Sequence, residues 1–266
     1  MQLGSHSLAV ITGAGSGIGA ALARRLDRQG VRLALCDLHR DRVDAVAAGL
    51  SGTPLVGTVD VADKDAIYAF AARVTDEAGA PDLVVANAGV SLLGTFDEAD
   101  LADWEWVVDI NFWGVVHTNR AFLPAMVQQR RGTIVNISSL FGLIGVPNCA
   151  AYCATKAAVR GFTESIQQEL VDSGVRVACV HPGGVATAIA KDGRVGSKLL
   201  GRVTRKSSEK IIARGIEPDE AARIILTGVE RDRLRILVGR DAWLLDKIQR
   251  IAPVAYRTLI RRFGGM

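Results

Sequence analysis

Seven short apolar runs punctuate the chain, separated by longer stretches in which apolar residues recur with helical spacing. The runs are Leu8–Ile11, Arg32–Cys36, Leu55–Val59, Leu83–Ala86, Thr133–Ile137, Arg176–Val180 and Arg235–Val238. Each has the length of a buried strand. Helical patterns follow to about Gln29 (Ala20, Ala21, Leu22, Ala23, Leu26), from Asp63 to about Ala78, from roughly Asp100 to Arg130, and from beyond Pro147 to about Val171. No repeat, low-complexity segment or Pro-rich linker interrupts this alternation. It predicts an α/β fold, one parallel, doubly wound sheet of about seven strands with helices on both faces, in a single domain over residues 1–266. Ligands of such sheets sit outside the carboxyl ends of the strands.

Chemistry-bearing residues fall at those ends. Thr12-Gly13-Ala14-Gly15-Ser16-Gly17-Ile18-Gly19 lies between the first strand and its helix, the context a dinucleotide site requires. Glycines there admit a pyrophosphate to the backbone and the helix N-terminus. The alternative is a turn without a ligand. Asp37 closes the second strand, where a carboxylate accepts hydrogen bonds from both ribose hydroxyls and repels a 2′-phosphate. NAD is therefore expected over NADP, although Arg40 works against that preference; Asp37 as a helix cap is the other reading. Asp60 and Val61 end the third strand beside an expected adenine site, and Asn87-Ala88-Gly89 makes a tight exit from the fourth. Asn111, among Val107, Val108, Ile110 and Phe112, is either a satisfied buried amide or part of a site. Ser139 follows the fifth strand. Tyr152 and Lys156 share a helix face one turn apart, so the ammonium is expected to lower the phenol pKa and make Tyr152 a general acid/base. A packed Tyr with a solvated Lys is the alternative.

Hydrophobic residues make up 49% of the 266, enough for a sizeable core. No apolar run approaches the ~20 residues that span a bilayer, and no signal-type segment precedes Leu8. Cys36, Cys149, Cys153 and Cys179 lack zinc-ligand spacing. A cytoplasmic, reduced protein with no metal is expected. Charge is uneven: residues 1–185 hold 14 Lys/Arg against 19 Asp/Glu, and residues 186–266 hold 18 against 9. A basic tail without a recognition motif is no case for nucleic acid.

Thr12-Gly13-x-x-x-Gly17-Ile18-Gly19, Asn87-Ala88-Gly89, Asn111, Ser139, Tyr152-x-x-x-Lys156 and Pro182-Gly183 occur in this order, each at its strand end. Together they resemble the short-chain dehydrogenase/reductase family over about residues 8–190. One departure is Ala86-Asn87, where the family often has two Asn. The resemblance implies a Rossmann-type fold and a homodimer or homotetramer. It implies that Tyr152 exchanges the substrate proton while hydride moves to or from the nicotinamide, with Lys156 on the nicotinamide ribose and Ser139 on the substrate oxygen. Asn111 would hold a water linking Lys156 to solvent, and Val185 with Thr187, beyond Pro182 and Gly183, would fix the carboxamide.

Apolar residues around this set, Leu92, Leu93, Leu140, Phe141, Ile144 and Ile189, suggest an apolar secondary alcohol or ketone of steroid, terpenoid, fatty or aromatic type. Oxidation with NAD is the leading reading. NADPH-dependent reduction of an acyl- or CoA-linked carbonyl, and an inactive cofactor-binding sensor or scaffold, are the alternatives. Residues 186–214 correspond to the family's substrate lid and carry Lys191, Arg194, Lys198, Arg202, Arg205, Lys206, Lys210 and Arg214 against Asp192 and Glu209. That charge is either a solvated face or a grip on an anionic substrate handle. In the extension over about 241–266, Trp243, Leu244, Ile248 and Ile251 share a helical face. Packing on the chain itself, on another subunit, or on a membrane interface compete for it, with subunit contact favoured by the resemblance.

Overall fold

A computed structural model describes residues 2–196 and 213–258. Of the basic residues expected on the lid, Lys198, Arg202, Arg205, Lys206 and Lys210 lie outside the described residues, as does Glu209, and so does the tail from residue 259. The seven apolar runs become the strands of one sheet: β1 (Leu8–Thr12), β2 (Arg32–Asp37), β3 (Leu55–Thr58), β4 (Leu83–Ala86), β6 (Gly132–Ile137), β7 (Val175–Pro182) and β9 (Arg235–Val238). Their spatial order is β3-β2-β1-β4-β6-β7-β9, and every neighbouring pair is parallel. This is the doubly wound, Rossmann-type sheet. A minor parallel pair, β5 (Leu92–Leu93) with β8 (Arg194–Val195), has no counterpart in the apolar pattern because two residues carry no periodicity.

Alternation along each strand supplies both faces of the core. Ala9 and Ile11 of β1 pack with Leu22 and Leu26 of α1 (Gly17–Arg28) and Ile225 and Leu226 of α8 (Pro218–Glu230). Leu8 and Val10 point the other way, onto Phe70 of α3 (Lys64–Ala78) and Phe122 and Met126 of α5 (Gly114–Gln128). Each such fully buried aliphatic or aromatic side chain is worth about 1.5–3 kcal/mol over exposure. The strand order reverses between β1 and β4, so their carboxyl ends open a crevice.

The helix expected from Asp100 to Arg130 is not continuous. It runs as α4 (Leu101–Val108), a π-helical turn (Asp109–Trp113) and α5. Such turns insert a residue without ending the helix and recur at functional sites; Asn111 lies in this one. α6 (Ala150–Glu169), which bears Tyr152, is held to the sheet by a buried polar network. Asn136 of β6 donates to Asn119 Oδ1 at 3.3 Å and to Thr163 Oγ1 at 3.1 Å, while Asn119 Nδ2 donates to Asn136 Oδ1 at 2.7 Å. Apolar packing alone would let α5 and α6 slide; these directional bonds fix their register on β6. Replacing Asn136 by Ala takes the donor from the buried Asn119 Oδ1, whose Nδ2 keeps Val115 O, so Asn136→Ala is expected to cost about 1–3 kcal/mol by urea denaturation. Adding Asn119→Ala is expected to cost less than the sum of the two single changes.

Candidate active site

At the crevice, β1 turns through Gly13 (φ 63) into α1, with Gly17 also in the left-handed region (φ 51). The Thr12 hydroxyl accepts from Asn87 N at 3.0 Å and Ala88 N at 3.1 Å. Asn87 Nδ2 answers by donating to Thr12 O at 2.9 Å and Gly13 O at 3.0 Å. The exits of β1 and β4 are thus locked together. A Cβ at Gly13 would lie 2.8 Å from Ala88 Cα, and one at Gly89 would lie 3.1 Å from Asn111 Oδ1 and 3.2 Å from Lys156 Nζ. Glycine thus lets the start of α1, the β4 exit and the Lys156 ammonium approach one another closely at the crevice. Ser16 is exposed and caps nothing with its side chain, and Ile18 and Gly19 follow it in the first turn of α1. A dinucleotide's pyrophosphate fits such a turn.

Asp37 Oδ2 accepts from Gly15 N at 2.9 Å and Oδ1 from His39 N at 2.9 Å, while α2 (Arg40–Ala48) takes His39 as its N-cap. The carboxylate therefore braces the Gly-rich turn and does not cap the helix. Arg40 pairs within its own helix, with Asp44 at 2.7 Å. Arg42 instead crosses to Asp192 of α7 (Ile189–Asp192) at 2.7 Å. Asp60 is exposed and Val61 buried, with the Val61 carbonyl 3.2 Å from His117 Nδ1. On the far side Pro182 ends β7, and Gly183 N donates to Val238 O at 2.9 Å. Val185 bridges to Ile216, and the Thr187 methyl stands over Gly17, 3.0 Å from where a Cβ would be.

Ser139, Tyr152, Lys156 and Asn111 converge where β6 meets α6. Lys156 is buried at 2% exposure and donates from Nζ to Ile137 O at 3.0 Å. Burial lowers its pKa to about 8. Nζ lies 5.8 Å from the centroid of the Tyr152 ring. Against the expectation of a lowered phenol pKa, burial pushes Tyr152 up to about 12; a hydrogen bond with the Ser139 side chain pulls the other way, and Cys149 and Cys153 raise it further. Desolvation dominates because the phenolate would sit among apolar groups. Asn111 is fully buried: its Oδ1 accepts from Val90 N at 2.8 Å, and Nδ2 donates to Val90 O at 2.9 Å and Thr155 Oγ1 at 3.2 Å. Its amide holds the β4 exit against α6.

The expected substrate-pocket residues divide. Phe141 meets the Tyr152 ring edge-on at 6.2 Å, and Leu93 packs with Phe141, Val146, Cys149, Tyr152 and Ala190. Leu92 sits with Val107 and Ala151, and Leu140 and Ile144 turn instead toward Ala242 of α9 (Arg240–Ile251) and Tyr256. Ile189 is half-buried and its carbonyl accepts from Ser91 Oγ at 2.8 Å.

Three further contributors carry no local sequence signal beyond position. His181 is fully buried; its Nδ1 lies 3.2 Å from Ser139 O, and burial lowers its pKa to about 4, so the ring is neutral. Asp241 accepts from Gly184 N at 2.7 Å, and the Tyr256 hydroxyl accepts from Gly145 N at 3.2 Å. The His immediately before Pro182-Gly183 was the one hint available. Among the described residues no cluster of His, Cys, Asp and Glu could hold a metal.

Residues 7–196 match the family model described as short chain dehydrogenase. The chain belongs to the short-chain dehydrogenase/reductase family, and is an oxidoreductase acting on CH–OH or carbonyl groups. It is similar to SadH of Mycobacterium tuberculosis, named as an oxidoreductase: 40% identical over 258 residues, 95% of this chain and 93% of that protein. A short-chain dehydrogenase/reductase from Burkholderia phymatum in complex with NAD superposes with TM-score 0.88 at 26% identity, covering 94% of this chain and 95% of its own. An alcohol dehydrogenase from Thermococcus sibiricus complexed with 5-hydroxy-NADP gives TM-score 0.75 at 27% identity, over 88% and 96%. A nicotinamide cofactor is thus shared by these neighbours, in both its forms.

Burying Lys156 has a pH signature. Its folded pKa, about 8, is below the ordinary 10.5, so the unfolded chain binds the extra proton between those values and folded stability rises with pH across that window. Lys156→Met is expected to be more stable than the parent at pH 7. The gap should narrow as the parent gains stability from pH 8 to 10.5, read by denaturant midpoints at each pH. A gap independent of pH would mean that the ammonium is not buried at a cost.

Proposed function

We propose that the chain is an NAD(H)-dependent oxidoreductase interconverting an apolar secondary alcohol and its ketone, with Tyr152 as general acid/base. The observation that carries this reading is the convergence of Ser139, Tyr152 and Lys156 beside the crevice onto which the Gly13–Gly19 turn opens. When bound, the nicotinamide supplies the hydride acceptor or donor. The protein's own residues do the rest. Tyr152 stands protonated in the unliganded chain and gives that proton to a carbonyl oxygen, or takes one from an alcohol once positive charge gathers beside it. Ser139 hydrogen-bonds the same oxygen and stabilises the charge that develops there. Lys156, protonated at neutral pH, holds ribose hydroxyls and supplies part of the field at Tyr152. Asn111 keeps Gly89 and α6 in place and, with one lone pair of Oδ1 still open, holds a water that links Lys156 to solvent.

Support for NAD over NADP comes from Asp37, fixed by two backbone amides beside the Gly-rich turn, and from Arg40, which is turned onto Asp44. A 2′-phosphate would meet a carboxylate there. Asp60, Val61, Asn87, Ala88, Pro182, Gly183, Val185 and Thr187 complete the proposed cofactor wall. Support for an apolar substrate comes from the surroundings of Tyr152, which are Leu93, Phe141, Val146, Cys149, Cys153 and Ala190. The described part of the lid, residues 186–196, contributes Ala190 to that wall and brings α7 against it. The chain is read as one domain, working in the cytoplasm as a homodimer or homotetramer.

Assays with alcohol and ketone panels and both cofactors, followed by nicotinamide absorbance, test this. Tyr152→Phe is expected to lower kcat by about 10²–10⁴ while cofactor affinity stays within a few-fold; a variant that turns over at the parent rate rules out the assignment. Asp37→Ala is expected to shift the ratio of kcat/KM values toward NADP by about tenfold or more, in line with the loss of two charge-assisted ribose contacts. An unchanged ratio would remove Asp37 from the specificity argument and leave the rest standing.

A further inference from the structure

Helix α9 and the residues that follow it to Thr258 have two unlike faces. Inward, Ala242, Leu245, Ile248 and Tyr256 pack with Leu140, Leu143 and Ile144 of the loop after Ser139. Outward, Trp243, Leu244, Ile251 and Val254 are 53%, 52%, 84% and 70% exposed. Trp243, Lys247 and Ile251 stand one turn apart on this outer face, with Arg240 and Leu244 on the same rows. Arg240, Lys247, Arg250 and Arg257 are exposed among these apolar groups, and Lys247 Nζ lies 3.8 Å over the Trp243 ring. The segment's two carboxylates are directed elsewhere. Asp241 accepts from Gly184 N, and Asp246 is buried between Arg235 and Arg250. The outer face therefore combines four large apolar side chains with the cations Arg240, Lys247 and Arg257, while Arg250 is paired with Asp246 and Asp241 is held on Gly184 N.

We propose that this face docks on an anionic membrane surface. The charge pattern selects the occupant. A second copy meeting it across a two-fold axis would bring cations against cations with no acid to receive them, and like charges across an interface cost affinity. Anionic headgroups supply the missing charge, and the headgroup–acyl boundary takes Trp243, Leu244, Ile251 and Val254. One helix face of this size gives reversible association, not insertion. Among the described residues no helix is long and apolar enough to cross a membrane. The inference stands independently of the substrate reading, because it rests on α9 and the residues that follow it to Thr258.

The test is sedimentation of the full chain with phosphatidylcholine vesicles, with and without about one part in three of phosphatidylglycerol. The expected result is association with the anionic vesicles only, reversed by added salt. Lys247→Glu is expected to weaken it about tenfold or more, and Trp243→Ala with Ile251→Ala by a similar factor, with the melting temperature unchanged because all three side chains are exposed. Three outcomes would overturn the proposal. One is equal association with neutral vesicles or none with either. Another is vesicle association that these substitutions leave intact. The third is a change of oligomeric mass by light scattering in the same variants without any vesicle binding, which would make the face a subunit contact.

Discussion

The arrangement turns on one buried cation. Lys156 is almost wholly removed from water, and its Nζ has the Ile137 carbonyl for company. A charge in such a place costs folding energy, and it persists only because the structure around it is over-determined. The Asn136–Asn119–Thr163 network pins α6 to β6, Ser138 Oγ donates to Lys156 O at 2.7 Å, and Asn111 ties the same helix to the exit of β4. Remove the surroundings and the side chain would swing to solvent. What the rest of the fold achieves is to hold an unfavourable group still, which is the usual relation between a stable frame and a working site.

Much of this was readable from local pattern. Strands β1 to β4, β6, β7 and β9 are apolar runs, and the Gly13–Gly19 turn lies between strand and helix as its spacing implies. The i, i+4 relation of Tyr152 and Lys156 needs no tertiary knowledge. What escaped depends on contacts distant in sequence or on burial. The π turn at Asp109–Trp113 leaves no mark in a helical pattern, and β5 with β8 joins residues about a hundred positions apart. The direction of the Tyr152 shift was misjudged because counting neighbouring charges ignores the desolvation that dominates when the hydroxyl is buried. Asp37 allowed two local readings, and only the fold showed its oxygens on Gly15 and His39.

The C-terminal segment, α9 with the residues after it, is part of the frame around these residues, not an appendage. Through Asp241 it holds the turn that follows Pro182, and through Tyr256 it holds Gly145 in the loop that follows Ser139. Two walls of the cleft, the loop after β6 and the turn after β7, thus share a support supplied from the last tenth of the described chain. His181 adds a third tie, from inside the sheet, to the Ser139 carbonyl. A cleft held from three directions keeps its donors in place before any ligand arrives, which is the condition for electrostatic preorganisation.

One contact works on a different timescale. Arg42 and Asp192, each side chain 39% exposed, join α2 to α7 at the protein surface. An ion pair so open to water contributes at most about 1 kcal/mol, roughly a fivefold bias, and thermal motion breaks it continually. α2 and α7 are thus tied loosely at the surface while the bonds beneath are shut away from water, so motion at the rim need not disturb what lies within.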